Sequence, residues 1–166
     1  PKKLVKLLKN QPGYWDLPEL PEIGSPLSQS GLIAKSQREF SEKFRVKRCF
    51  FGVNGASGLI QSAVIAIANP GETILMPRNV HISVIKTCAM QNILPIFFDL
   101  EFSSETGHYK PITKIWLENV FKKINFNERK IAGVIFVNPS YQGYTTNLEP
   151  LIDLCHQKNL PVLVDE

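Results

Sequence analysis

The sequence predicts an α/β fold in three layers, with a mostly parallel sheet covered by helices on both faces. Stretches typical of strands and of helices alternate five times along the chain. The strand stretches are apolar throughout, not at every second residue, which is typical of parallel strands buried on both faces. The 166 residues, 43% hydrophobic and 20% charged, are enough for one domain with a sizeable core.

The first thirty residues differ from the rest. Lysines alternate with Leu and Val over residues 1–9, which predicts a short amphipathic arm that packs on the protein or on a partner subunit. Residues 10–30 are rich in proline and glycine with Trp15, Leu17 and Leu20 between them, which indicates an ordered crossing segment. We therefore divide the chain into an arm and crossing segment, residues 1–30, and a large domain, residues 31–166.

The elements of the large domain follow from hydrophobic periodicity and turn residues. A first helix is predicted to begin near Ser30, and a second one, after the glycine-rich residues 55–58, to end at Ala68. Residues 99–110 form a polar loop, and Pro111 suits the first turn of the helix after it. The predicted strands are residues 48–53, 73–76, 94–98, 131–137 and 161–165, and the later helices are residues 80–91, 111–122 and 148–158.

A cluster of small residues between the first predicted strand and its helix is typical of an anion site. The backbone N–H groups of Ala56, Ser57 and Gly58 would be unpaired donors of the first helical turn, and Ser57 adds a hydroxyl. Gly55 and Gly58 let a phosphate approach the main chain closely. We expect a phosphorylated ligand here; the alternative is a serine-capped helix after a glycine turn.

Ligands of parallel α/β sheets bind at the carboxyl ends of the strands. There the sequence places the imidazole of His81, the turn residues Ser140 and Tyr141, and the carboxylate of Asp165. Ser140 and Tyr141 either line a site or shape the turn. Arg78 either braces the loop through a salt bridge or contacts a ligand.

Several ligands and partners are excluded. The spacing G-x-x-G-x-x-G differs from a dinucleotide fingerprint, the strand ending in Met76 has no ribose-binding acid after it, and no Gly-Lys-Ser/Thr follows the glycines. The net charge of +4 is spread among acids, so nucleic acid is not an expected partner. No apolar run is long enough for a membrane span, so we expect a cytoplasmic protein.

The three cysteines, Cys49, Cys88 and Cys155, form no C-x-x-C pair and have no neighbouring histidine cluster. We expect buried or idle thiols in a reducing compartment and no metal site.

Pyridoxal 5′-phosphate requires a helix N-terminus for its phosphate, a carboxylate facing its pyridine nitrogen, a flat group on its ring and a lysine for a Schiff base. The first three requirements have candidates in this chain. The lysine does not, because Lys86 and Lys158 fall on predicted helices and are surface charges.

Four stretches, in order along the chain, resemble the landmarks of the Orn/Lys/Arg decarboxylase family: residues 50–58, 76–83, 138–143 and 161–166. Residues 15–20 and 31–34 are similar to the family's entry segment, so the resemblance runs from about Tyr14 to the end. It implies an aminotransferase-like large domain of fold type I that binds pyridoxal phosphate. Members of this family remove the α-carboxylate of ornithine, lysine or arginine.

The resemblance also implies roles for single residues. Ala56, Ser57 and Gly58 would hold the phosphate, His81 would lie on the ring face, and Asp165 would pair with the pyridinium nitrogen. The family often has a hydroxyl residue at position 56, so Ala56 keeps the backbone donor but loses a side-chain bond worth about 0.5–1.5 kcal/mol. The alternatives are a structural histidine at 81 and a helix-capping carboxylate at 165.

In the resembled family the Schiff-base lysine lies beyond the position of Glu166, and active sites usually form between two subunits. We therefore expect that this chain is a fragment of a basic amino acid decarboxylase and that it is inactive by itself. The parent protein is expected to be a homodimer or a higher homo-oligomer. The alternative to a fragment is that a partner chain supplies the remainder of the fold. Two other functions stay open. One is another fold-type-I enzyme, such as an aminotransferase or lyase, and the other is a non-catalytic binding or regulatory domain.

Overall fold

The computed structural model describes residues 20–166 and, before them, Lys6, Lys9 and Pro18. Most of the predicted arm, and the anchors Trp15 and Leu17, lie outside the described residues. The chain forms two compact units, Pro1–Val53 and Asn54–Glu166. The predicted boundary after residue 30, between the N-terminal segment and the large domain, stays a prediction.

The first unit contains helix α1 (Gly31–Phe44), which begins where the sequence predicts. Gly31 has φ of +86°, and a Cβ at this position would lie 2.7 Å from the backbone oxygen of Ile23. Only glycine therefore fits where the helix starts against the preceding turn. At its other end the helix stops at Arg45, which takes the left-handed conformation with φ of 54°.

The prediction of a strand over residues 48–53 is wrong. These residues are irregular, and Phe50 and Val53 are 62% and 83% exposed. A strand needs a neighbour that satisfies its backbone hydrogen bonds, and the described residues provide none for this stretch. Phe51 instead packs edge-on against Phe40 of α1, with ring centroids 5.4 Å apart.

The second unit is built on a parallel sheet. Its strands are β1 (Thr73–Pro77), β2 (Leu94–Phe98), β3 (Phe102–Ser103), β4 (His108–Tyr109), β5 (Ile131–Val137) and β6 (Val162–Asp165). Four of them pair in parallel in the order β2-β1-β5-β6. Strands β3 and β4 form a short antiparallel ribbon inside the predicted polar loop.

Four helices cover this sheet, and their ends differ from the predicted ends by a few residues. They are α2 (Gly55–Ile67), α3 (Ile82–Gln91), α4 (Lys114–Lys122) and α5 (Glu149–His156). Helix α4 begins at Lys114 and not at Pro111, because the Thr113 hydroxyl accepts the Trp116 N–H at 3.2 Å and caps the helix there.

A separate hydrophobic core fills each side of the sheet, as predicted. Helices α2 and α3 pack on Ile74 and Ile135, whereas α4 and α5 pack on Leu75, Val134 and Phe136. Neighbouring residues of β1 and β5 thus point to opposite faces, and both faces are apolar because both are covered. Because the four paired strands run parallel, their carboxyl ends lie at one edge of the sheet.

The cysteines are free thiols. Cys88 and Cys155 are buried, as expected, and burial raises the pKa of Cys155 to about 12. Cys49 is half-buried. Within the described part of the chain, no cluster of three or more His, Cys, Asp or Glu side chains could hold a metal ion, and no helix is long and apolar enough to cross a membrane.

Candidate active site

An open cleft of about 510 Å³ lies at the carboxyl edge of the parallel sheet. Four segments form it because the strands run in one direction and the connections that follow them meet at this edge. The lining segments are the start of α2 at Ala56 and Ser57, residues 79–83 after β1, residues 139–141 after β5, and the end of β6 at Asp165 and Glu166.

The start of α2 presents backbone donors to the cleft. Gly55 has φ of +66°, and Asn54 makes no side-chain bond that caps the helix. Among the described residues, the backbone N–H groups of Ala56 and Ser57 have no hydrogen-bond partner. Both residues are exposed, so an anion can reach these donors.

Gly58 departs from its predicted place. Its N–H donates to the backbone oxygen of Asn54 at 3.3 Å, and it does not line the cleft. A Cβ at position 58 would lie 2.7 Å from the Cβ of Asn54. The free donors therefore end at Ser57, and close packing against Asn54 is the reason for glycine at position 58.

His81 lies at the cleft as the residue that caps α3. Its Nδ1 accepts the Ser83 backbone N–H at 3.2 Å and lies 2.8 Å from the Ser83 hydroxyl oxygen. The imidazole is thus held by one edge of the ring.

Asp165 ends β6 beside Val137 of β5. Its backbone oxygen accepts the Asn138 N–H at 3.0 Å, which fixes the backbone at the cleft. The carboxylate is half-buried and makes no hydrogen bond or salt bridge with any described residue. The predicted phosphate donors and the predicted ring-nitrogen partner therefore line the same cleft.

The loop after β5 both shapes a turn and lines the cleft. The Ser140 hydroxyl accepts the Tyr144 N–H at 3.2 Å, and the Asn138 side chain accepts the Thr146 N–H at 2.8 Å. Tyr141 is 97% exposed at the mouth of the cleft.

Arg78 braces the structure and does not line the cleft. Its guanidinium donates to the Asp99 carboxylate at 2.5 Å and lies 5.7 Å from the ring centroid of Phe97. Of its two alternatives, the salt bridge is the one that the structure forms. Lys86 and Lys158 are exposed, and no lysine in the described ranges lines the cleft.

Sequence reasoning assigned no role to three polar residues that line the cleft: Asn79, Ser83 and Glu166. The Asn79 side-chain oxygen is buried without a hydrogen-bond partner among the described residues. Ser83 follows His81 at the start of a helix, where serine commonly bonds to nearby polar groups, and this position was its only signal.

Comparisons with known proteins agree with this fold. The family model "Orn/Lys/Arg decarboxylase, major domain" matches residues 15–166. The chain is 35% identical over 136 residues to the arginine decarboxylase of Halalkalibacterium halodurans, an alignment that covers 82% of this chain and 27% of that protein. The chain thus spans about a quarter of the length of this relative.

Two solved structures share the fold. The constitutive lysine decarboxylase of E. coli superposes with a TM-score of 0.72 at 20% identity, over 87% of this chain and 21% of that chain. Cystalysin from Treponema denticola, whose structure contains pyridoxal 5′-phosphate, superposes with a TM-score of 0.52 at 20% identity, over 68% of this chain and 27% of that chain. The fold is therefore that of fold-type-I pyridoxal-phosphate enzymes, as predicted. Because the family model matches nearly the whole sequence, the chain belongs to the Orn/Lys/Arg decarboxylase family.

Proposed function

We propose that this chain forms the cofactor-binding part of a pyridoxal-phosphate-dependent decarboxylase of a basic amino acid, namely ornithine, lysine or arginine. One observation carries the proposal: the backbone N–H groups of Ala56 and Ser57 and the carboxylate of Asp165, none of which has a partner among the described residues, line one cleft. These are the groups that the two ends of pyridoxal phosphate require.

The residues present fit this cofactor. The donors of Ala56 and Ser57 belong to a 13-residue helix, whose dipole favours an anion at its N-terminus. The cleft volume of about 510 Å³ falls in the range of roughly 300–1,000 Å³ that is usual for small-molecule sites. The side-chain oxygen of Asn79, which is buried and has no hydrogen-bond partner within the described part of the chain, is a further acceptor at the cleft wall.

When bound, pyridoxal phosphate supplies an electron sink for the pair that is released as the bond between Cα and the carboxylate breaks. The chain's own groups would hold and orient the cofactor. The negative charge of Asp165 would stabilise a proton on the ring nitrogen. The N–H groups of Ala56 and Ser57 would bind the phosphate, and the imidazole of His81 would contact a face of the ring.

Since no lysine in the described part of the chain lines the cleft, we expect the 166-residue chain to bind pyridoxal phosphate without a covalent link. Borohydride reduction followed by peptide mass spectrometry should then find no modified lysine. A cofactor adduct on one specific lysine would overturn this expectation.

The activity is tested on the protein expressed from its whole gene and loaded with pyridoxal phosphate. Incubation with L-arginine, L-lysine and L-ornithine in separate assays should release carbon dioxide together with agmatine, cadaverine or putrescine from at least one of them. Formation of a keto acid without carbon dioxide would indicate an aminotransferase, and binding of the cofactor without turnover would indicate a binding domain. Either result would overturn the proposal.

The proposed partner is a second copy of the same protein, which the family resemblance supports. Sedimentation velocity of the whole-gene protein should give a dimer or a larger assembly, and a monomer at micromolar concentration would contradict this.

A further inference from the structure

We propose that Ser83 is a positioning residue for His81: it holds the imidazole as the tautomer with its proton on Nε2 and with its Nδ1 edge turned toward helix α3. The inference deepens the proposed function, on which it rests for the identity of the ligand that His81 meets. The hydrogen bonds that orient the ring are formed within the chain and do not depend on a bound ligand.

The hydrogen bonds at Nδ1 define the tautomer. The backbone N–H of Ser83 lies 3.2 Å from Nδ1, and a backbone amide can only donate. Nδ1 must therefore accept, and in a neutral imidazole the proton then lies on Nε2. With Nδ1 fixed as an acceptor, the Ser83 hydroxyl, 2.8 Å away, donates to the same nitrogen.

Ser83 is itself fixed in place. It is 4% exposed, and its neighbour Val84 is fully buried in the core beneath α3. One turn later, the buried Thr87 hydroxyl donates to the backbone oxygen of Ser83 at 2.7 Å. Within the described residues, the Ser83 hydroxyl has no partner other than His81. The anchor of the imidazole is thus part of the folded core and precedes any ligand.

This anchor determines what His81 offers to a ligand. The ring is exposed and lines the cleft, while its Nδ1 edge is occupied. What remains are the flat face of the ring and one N–H donor at Nε2. An aromatic ligand can stack on the face, and an oxygen acceptor in the plane of the ring can accept from Nε2.

The tautomer is measured directly by long-range 1H–15N correlation spectra of the ¹⁵N-histidine-labelled 166-residue chain without added cofactor. The chain has two other histidines, His108 and His156. The signals of His81 are assigned as those that remain after the signals of these two are identified. The wild-type chain should show an unprotonated Nδ1 and a protonated Nε2 at His81. In Ser83→Ala the backbone donor remains but the hydroxyl is lost, so the excess of the Nε2–H tautomer should fall roughly five-fold and the two nitrogen shifts should move toward each other.

Two further variants make the result specific. Ser62→Ala removes another helical hydroxyl, which donates to the Gly58 oxygen at 2.9 Å and makes no hydrogen bond to His81. It should leave the His81 nitrogen shifts unchanged. Ser83→Cys serves as the second variant if Ser83→Ala fails to fold. Its thiol has nearly the same volume as the hydroxyl but donates weakly, so it should shift the tautomer in the same direction as Ser83→Ala.

A protonated Nδ1 in the wild-type chain, or His81 nitrogen shifts that are equal in wild type and in folded Ser83→Ala or Ser83→Cys, would overturn the proposal. Pyridoxal phosphate titrated into the same samples tests the proposed function separately. Failure of the cofactor to bind, with the tautomer as expected, would refute the function and leave the positioning role of Ser83 intact.

Discussion

The amino edge of the parallel sheet and the cleft at its carboxyl edge differ in how far their polar groups are paired. At the amino edge, Glu72 precedes β1 and Lys130 precedes β5, and their side chains pair at 2.5 Å. The second carboxylate oxygen of Glu72 accepts the Asn69 backbone N–H at 2.9 Å. In the cleft, by contrast, the Asp165 carboxylate and the backbone N–H groups of Ala56 and Ser57 have no partner among the described residues.

The difference indicates where the chain is arranged for stability and where for binding. A polar group that is already paired links neighbouring strands but has few free hydrogen-bonding sites for a ligand. An unpaired group at a cleft can form its hydrogen bonds with a ligand instead. The Asn69 N–H, followed by Lys130, lowers the pKa of Glu72 from its ordinary value of 4.5. Substitutions at the amino edge should therefore change stability, and those at the carboxyl edge should change binding and rate.

The largest effect is expected from Asp165→Asn. Loss of the charge that stabilises the ring-nitrogen proton should lower kcat of the whole-gene protein by about 10²–10³-fold, with thermal stability unchanged or raised. Steady-state kinetics and thermal unfolding measure the two quantities. Asp153→Asn, an exposed residue of α5, is the matched control and should retain full activity. An Asp165→Asn protein with wild-type turnover would refute the assignment of this carboxylate.

His81→Ala should weaken the binding of pyridoxal phosphate to the 166-residue chain by about 2–10-fold, because an aromatic contact on the ring face is lost. His81→Phe keeps a flat ring and should recover most of the affinity, and His156→Ala on α5 should not change it. Absorbance titrations with the cofactor give the three dissociation constants. Equal constants for His81→Ala and the wild type would place His81 outside the site.

Ala56→Ser should strengthen binding by about 2–5-fold, since it adds a hydroxyl at the phosphate end while keeping the backbone donor. The same titration measures it, and phosphate competition should show a parallel gain. If Ala56→Ser binds pyridoxal phosphate more tightly but inorganic phosphate no better, the added hydroxyl does not act on the phosphate group.

The smallest effect is expected at the amino edge. Glu72→Gln should lower Tm slightly at pH 7 without changing cofactor affinity. A carboxyl group with a lowered pKa stabilises the fold above its unfolded pKa, and this contribution is lost as the pH falls through the folded pKa. The difference in Tm should therefore shrink as the pH falls below about 4.5 and vanish at lower pH. A difference that grows on acidification would contradict the assigned sign.

The sheet and the helices on both of its faces could be predicted because a strand that is buried on both faces consists of apolar residues throughout, as in the unbroken apolar run of β5. Residues 48–53 are equally β-prone, yet strand formation also depends on a neighbouring strand, which local sequence does not reveal. At the site, His81 and Asp165 could be predicted to lie at the cleft because they occur at the ends of predicted parallel strands. The exact end of the free donors at Ser57 depends on a single hydrogen bond of Gly58, and the bond between Ser83 and His81 depends on side-chain orientation, so neither follows from spacing.

The central claim is tested most directly by a crystal structure of the chain soaked with pyridoxal phosphate. We expect the phosphate oxygens at about 2.7–3.2 Å from the backbone nitrogens of Ala56 and Ser57, and the pyridine nitrogen at the same range from the Asp165 carboxylate. A cofactor bound elsewhere, or bound in the cleft with its phosphate toward Asp165, would contradict the account.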